Sequence, residues 1–448
     1  MKPLVLVTAP VGTRSGYGSH SRDIVRSLIA MDKFDVKIWP VRWGGTPQNA
    51  LDEKDPNDIP IIKRLHSDLK LSRQPDIHFH IVVPNEFQPH AKFNIGITAG
   101  LETTACPGEW LEGLNRMNLN IVPANFVKDT ILATTFDKHD ENTKEKIGEL
   151  RNEKPIEVLF EGADTNIYKP TKEFSKDLVD EFKGIKEDFC FLFVGHWLQG
   201  GLGHDRKDLG MLIKTFLETF KNQPKQPALI IKTSGATPSI LDRESIFKKL
   251  KDIKSTVNGK LPSLYVLHGD LTDEEMNGLY NHPKVKAHVS FTHGEGFGRP
   301  LLEASLSGKP VIAPNWSGHV DFLNEKDAVM LPGSLNDVKE ESLQQGMHVE
   351  GSKWHTVNYN YASKILKDVF NNYSKYLVKA KRLAIKNQTK FSLDAMTKKF
   401  EEILDKYLPL FDKPPQEVKL NLPKLKKSSG SGPPQLPTME LPKLKKVK

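Results

Sequence analysis

Cysteine is nearly missing from this sequence. Of 448 residues only Cys106 and Cys190 are cysteines, too few for a disulfide framework or a cysteine-based zinc site. Long apolar runs are missing as well. The longest, such as residues 4–7 and 191–194, fall far short of the roughly 20 that span a bilayer and of the roughly 7–15 in a signal-peptide core. No Asp-x-Asp occurs, so no divalent ion bridging a diphosphate is expected. No Gly-x-x-x-x-Gly-Lys-Ser/Thr occurs, which argues against a P-loop kinase, and Gly12, Gly16 and Gly18 miss the dinucleotide spacing Gly-x-Gly-x-x-Gly. The chain reads as a soluble cytoplasmic protein.

What is present begins with charge. The chain has 64 basic and 56 acidic residues, a net +8. Residues 413–448 hold nine lysines and two glutamates, so the rest carries 55 cations against 54 anions. The body is near neutral, and a nucleic-acid-binding body loses its main argument. The basic tail is dense in Pro, Gly and Ser and repeats Leu-Pro-Lys-Leu-Lys-Lys at 422–427 and 441–446. With little to bury it is expected to be disordered. It serves either as a solubilising tail or as an arm docking on an acidic partner or an anionic surface, which would make the protein peripheral to that surface.

A β-branched run at 3–8, a glycine-rich loop and a helical pattern at 20–31 open the body as a doubly wound α/β domain does. Strands are expected at 35–39, 77–83, 94–98, 119–122 and 156–160, with helical patterns between several of them. The rhythm restarts with a strand at 188–195, a helix at 207–220 and strands at 228–233, 263–268, 287–291 and 309–313. The reading is α/β throughout, with two Rossmann-like parallel-sheet domains, residues 1–168 and 169–390. A helix in 391–412 packs back on the first domain, and 413–448 is the tail.

Residues 286–314 carry the chemistry. A strand turns through Gly294, Gly296 and Gly298 into a helix with Pro300 in its first turn and Gly308 at its end. Glycines let backbone approach a ligand, and a free helix start favours a phosphate. Glu295 and Glu303 would repel a phosphate, so they suit sugar hydroxyls better. An ordinary glycine-rich turn with surface glutamates is the plain alternative. His78 and His80 share a strand face but lack a third ligand, so a structural role is expected and no metal site is assigned. Trp39, Trp43 and Trp110 are expected in the core rather than stacked on sugars.

Glu295 and Glu303, around Gly-Phe-Gly and followed by Ala-Ser-Leu-Ser-Gly-Lys-Pro-Val-Ile-Ala, resemble the E-x7-E motif of GT-B glycosyltransferases of the retaining family 4 type. The likeness extends along residues 3–408 and implies that domains 1–168 (acceptor side) and 169–390 (donor side) face across a cleft. Residues 158–170 resemble the inter-domain N-G-V-D-x-x-x-F-x-P, with Glu161 for Asn and Ala163 for Val. Residues 97–110 resemble a subgroup's F-E-T and P-x-x-W, 205–208 its D-R-K-N turn, and 230–234 its V-I-K-T-S strand. The resemblance implies that Glu303 binds ribose hydroxyls, Glu295 the transferred sugar, and the backbone of Gly296, Phe297 and Gly298 the distal phosphate. Lys207, assisted by Arg206, would neutralise the leaving diphosphate. Gly16, Tyr17 and Gly18 would approach from the first domain. Where many members carry an Arg after Val-Gly, this chain has His196, which with Lys207 would take over that phosphate contact. Lys232 is assigned to the donor side.

The implied activity is metal-independent transfer of a sugar from a nucleotide-sugar donor to an acceptor hydroxyl with retention, without a cofactor. A glycan or glycolipid acceptor is favoured over DNA. The rival readings are a catalytically idle glycan-binding or scaffold protein of this fold and a transferase acting on DNA.

Overall fold

The computed structural model describes residues 2–66, 70–140, 142–235 and 239–411, so the tail from 413 lies outside the described residues. Sixteen strands are described in these residues. In the first half they are β1 (Leu4–Ala9), β2 (Asp35–Pro40), β3 (Ile77–Ile81), β4 (Phe93–Ile97), β5 (Leu119–Val122), β6 (Phe136–His139), β7 (Lys146–Leu150) and β8 (Ile156–Val158). In the second they are β9 (Cys190–Val194), β10 (Ala228–Lys232), β11 (Leu264–Leu267), β12 (Val285–Val289), β13 (Val311–Pro314), β14 (Val329–Leu331), β15 (Gly333–Asp337) and β16 (Lys353–Val357).

Two six-stranded sheets result, ordered β2-β1-β3-β4-β5-β8 and β11-β10-β9-β12-β13-β14, with every pairing parallel. Parallel sheets must be covered on both faces, and the strand sequences meet that demand. In β9 and β10, Phe191, Phe193, Leu229 and Ile231 enter one apolar layer, while Cys190, Leu192, Ala228 and Ile230 enter the other. The period-two alternation of a strand distributes one continuous apolar run between two cores. Among the described residues, no helix is long and apolar enough to cross a membrane.

The helix Leu393–Tyr407 is capped by Ser392 and buries Met396, Phe400, Ile403 and Leu404 in the core of the first sheet, with Phe400 edge-on to Phe79. Ala163 and Ser392 form a parallel bridge, so the two chain segments that cross between the domains run side by side. The hairpin β15–β16 reaches the other way. Lys353 exchanges two hydrogen bonds with Thr104, and Trp110 Nε1 donates to the Gly346 carbonyl at 2.7 Å. Trp110 is thus a core residue as expected, whereas Trp39 and Trp43 are only half-buried.

His288 of β12 is buried with neither ring nitrogen paired. Burial lowers it to about 3. A group depressed below its unfolded value contributes stability above pH 6.5 that is lost as the pH falls through the window down to about 3. Wild type should therefore lose stability relative to His288→Met by about 1.4 kcal/mol per pH unit below 6.5. Chemical denaturation at pH 7.5 and 5.0 checks this. A constant difference between the two proteins would contradict it.

Candidate functional site

In open parallel sheets, ligands collect beyond the carboxyl ends of the strands where the strand order reverses. In the second sheet that point lies between β9 and β12. The chain leaving β12 there is the glycine-rich segment 290–298. A Cβ on Gly294 would stand 2.3 Å from the Glu102 carbonyl oxygen, and one on Gly296 2.2 Å from that of Ala99. Their missing side chains let the turn close against the first domain, which is a different reason for these glycines from close approach of a phosphate. Gly298, at φ +97°, begins the helix Arg299–Leu306, which has Pro300 in its first turn and no side-chain cap. Pro300 has no N–H and the Leu301 N–H donates to the Gly298 carbonyl at 2.9 Å, which leaves the Arg299 N–H and the positive end of the dipole for an anion. The Phe297 ring is buried against Phe322, so only its backbone serves the turn.

Arg206 and Lys207 precede a helix rather than form its first turn. The expected helix at 207–220 begins at Leu209, after Asp208 at φ +48°. The buried Asp205 carboxylate accepts the N–H groups of Leu209 and Gly210 at 3.1 and 3.3 Å, and the Tyr359 hydroxyl donates to Asp208 Oδ2 at 2.7 Å. Anchored on both sides, this turn presents Lys207 to Glu295, and the two form a buried ion pair. Arg206 Nη1 donates to Glu102 Oε1 of the first domain at 2.9 Å. Burial, with the Arg206 guanidinium beside it, pulls the Lys207 ammonium below its ordinary value. Burial alone would raise the Glu295 carboxyl, but Lys207 and Arg206 outweigh it and hold it below its ordinary value.

Glu303 accepts from Arg299 Nε at 2.9 Å and from the Tyr280 hydroxyl at 3.3 Å. The same Arg299 donates Nη1 to Asp23 Oδ2 at 2.5 Å, joining Glu303 to the helix Gly16–Ala30 of the first domain. Burial raises the Glu303 carboxyl to about 7, against the pull of Arg299. The bridge escaped the sequence reading. Its Arg299–Glu303 half has the i, i+4 spacing that signals a pair on one helix face, but nothing local marks Asp23.

Across the cleft, Gly16, Tyr17 and Gly18 lie in the first turn of the helix Gly16–Ala30, capped by Ser15, rather than in a loop. Tyr17 shares a hydrogen bond with Thr98 at 2.8 Å and stacks on Trp43 at 4.0 Å. A Cβ on Gly18 would stand 2.2 Å from the Thr13 carbonyl oxygen. His196 is exposed, and its Nδ1 lies 3.2 Å from Ser234 Oγ. Lys232, at the end of β10, donates to the Gly269 carbonyl at 2.6 Å. His78 meets Thr8 through Nε2 at 2.9 Å, and His80 Nδ1 accepts from the Gln88 N–H at 3.0 Å. The described residues hold no group of three or more His, Cys, Asp or Glu placed to bind a metal ion.

No family model and no curated protein matches the chain. Its fold is nevertheless shared with solved structures. HepE from Anabaena in complex with UDP-glucose superposes with a TM-score of 0.58 at 13% identity, covering 90% of this chain and 100% of HepE. Sucrose-phosphate synthase from Thermosynechococcus elongatus gives 0.60 at 11%, covering 91% and 99%. A glycosyltransferase from Rickettsia africae gives 0.56 at 14%, covering 91% and 99%. The chain has the GT-B fold, in which two Rossmann-like domains face across a cleft.

Proposed function

We propose that this chain is a metal-independent glycosyltransferase of the retaining family 4 type, moving a sugar from a nucleotide donor to an acceptor hydroxyl. One arrangement carries the reading. At the reversal point of the second sheet, the buried Lys207–Glu295 pair stands beside an uncapped helix start, with Glu303 one turn further along that helix. The helix start and Lys207 suit a diphosphate, and the carboxylates suit hydroxyls. Each oxygen of Glu303 has two lone pairs, so bonds to Arg299 and Tyr280 leave acceptors for a ribose. The bond from the anomeric carbon to the diphosphate oxygen breaks, and the acceptor oxygen bonds that carbon on the same face. The acceptor proton passes to the departing phosphate. Lys207 stabilises the charge that develops on that leaving group. A glycan or glycolipid acceptor fits better than DNA, since the body is near neutral. A cytoplasmic enzyme, peripheral to an anionic surface through its tail, suits the basic segment 413–448.

The test is nucleotide release from UDP-, GDP-, dTDP- and ADP-glucose, beginning with UDP-glucose because HepE was solved with it. One donor should be turned over slowly by water. Glu303→Ala should reduce that release about 10–100-fold, the value of hydrogen bonds to a charged group. The product anomer, read by proton NMR, should match the donor. Silence with all four donors would overturn the reading, and an inverted anomer would overturn retention.

A further inference from the structure

We propose that the outward face of the helix Tyr373–Lys390 docks on a bilayer surface rich in anionic lipid headgroups. This contact is independent of the reaction proposed above, and it lies in the body of the chain, before the basic segment 413–448. The helix carries six cations, Lys375, Lys379, Lys381, Arg382, Lys386 and Lys390, and no acid. The chain up to 412 balances 55 cations against 54 anions, so this helix concentrates one sign. Little nearby cancels it. Arg382 pairs with Asp327, and Lys375 stands 3.6 Å from Asp368. Lys379, Lys381, Lys386 and Lys390 enter no ion pair among the described residues.

Helical spacing sorts the remaining side chains. Tyr376, Ala380, Leu383, Ala384 and Asn387 recur at i, i+4, i+7, i+8 and i+11, and all are buried. Leu383 enters the core of the second domain, and Asn387 Nδ2 donates to Ser305 Oγ at 2.9 Å. These contacts fix which side of the helix faces out. Val378 and Ile385 share the opposite side, two turns apart, and are 68% and 69% exposed. At about 100° per residue, Lys381 falls on one flank of that ridge and Lys375, Lys379, Arg382 and Lys386 on the other. One exposed aliphatic on a surface means little. Two in line, flanked by cations on both sides, form the pattern of an interfacial helix. The aliphatic groups enter the boundary below the headgroups, and the long basic stems keep their charges at the phosphates. Clusters of four to eight cations on such a helix suit anionic lipids. A nucleic acid or a sulfated polymer would satisfy the cations but offer nothing to Val378 and Ile385. The lipid surface uses both.

The experiment is co-sedimentation of the full chain with phosphatidylcholine vesicles, with and without about 40% phosphatidylglycerol. Wild type should bind the anionic vesicles and leave the neutral ones. One cation near an anionic leaflet is worth about fivefold, so Lys379→Gln/Lys381→Gln/Lys386→Gln should bind about 100-fold more weakly. Val378→Ser/Ile385→Ser should bind about tenfold more weakly, from lost apolar burial. On heparin, a polyanion with no apolar phase, the serine pair should elute with wild type and the glutamine triple earlier. Thermal melts should overlay, since none of the five side chains belongs to the core. The inference fails if the glutamine triple binds anionic vesicles as wild type does, which would leave the attraction to other cations such as those of 413–448. It fails equally if wild type binds neutral vesicles as well as anionic ones, or binds neither. Wild-type vesicle binding by the serine pair, beside a loss in the glutamine triple, would make the helix a polyanion site and overturn the lipid surface.

Discussion

Lys207→Ala should lower kcat/KM for the nucleotide-sugar donor about 10²–10³-fold, the scale on which single preorganised charge contacts act on a transition state. It should also destabilise the protein, for a separate reason. Lys207 and Glu295 are buried together, and removing the ammonium strands the carboxylate; breaking a buried pair typically costs about 3–5 kcal/mol. The two effects separate in the double variant Lys207→Ala/Glu295→Gln. Glutamine carries no charge to strand, so stability should return most of the way to wild type while turnover stays lost. Denaturation curves and donor-release rates on wild type and these two variants check this. If turnover recovers with stability, Lys207 only supports the fold. If the single variant turns over normally, Lys207 has no catalytic part.

That separation matters because the sequence reading assigned Lys207 and Glu295 to different ends of the donor, whereas the fold joins them. Sequence could place each on its own segment, since both segments carry local signals: a glycine-rich turn for Glu295, and Asp-Arg-Lys-Asp before an amphipathic helix for Lys207. Their meeting depends on the left-handed Asp208 and on Asp205 holding the following N–H groups, a tertiary arrangement with no periodicity to reveal it.

The same distinction runs through the fold. The strands of both sheets that carry long apolar runs, such as 190–194 and 228–232, were legible because both faces of a parallel sheet must be buried. β14 was not, being a three-residue edge strand. β15 was not, because all five of its residues are exposed and carry no inside–outside alternation. The motif at 107–110 was legible as a pattern, but its partner was not. Trp110 donates to Gly346, in a loop between β15 and β16 that local sequence does not connect to it. Tyr17 and Trp43 show the same limit. The expectation that Trp43 sits in the core fails because the ring stands half-buried over Tyr17.

Arg299→Ala is expected to be the most damaging single change for stability at alkaline pH. Arg299, its side chain 16% exposed, joins Asp23 of the first domain to Glu303 of the second, with Glu161 nearby. Without it Glu303 and the nearby Glu161 have no ion-paired cation, whereas Asp23 keeps Arg26 at 3.4 Å, and the loss should grow by up to about 1.4 kcal/mol per pH unit for each of the two glutamates above its wild-type value. The sign of the pH dependence follows from the two raised groups. Glu303 and Glu161 stand at about 7 and about 8, raised by burial and held back by Arg299, so its removal raises both further. Stability tied to a raised carboxyl is complete below its unfolded value near 4 and is lost as pH climbs through the folded value. The deficit of Arg299→Ala should therefore be small at pH 5 and grow up to pH 8 and beyond. Arg299→Lys should recover only part of it, since one ammonium cannot reproduce a guanidinium fork that reaches two carboxylates. Asp23→Asn, which leaves Arg299 on Glu303, should cost less than Arg299→Ala. Urea denaturation of the three variants at pH 5 and 8 decides the matter: equal deficits at both pH values would mean that Arg299 acts through packing and that the buried carboxyls do not sense its charge.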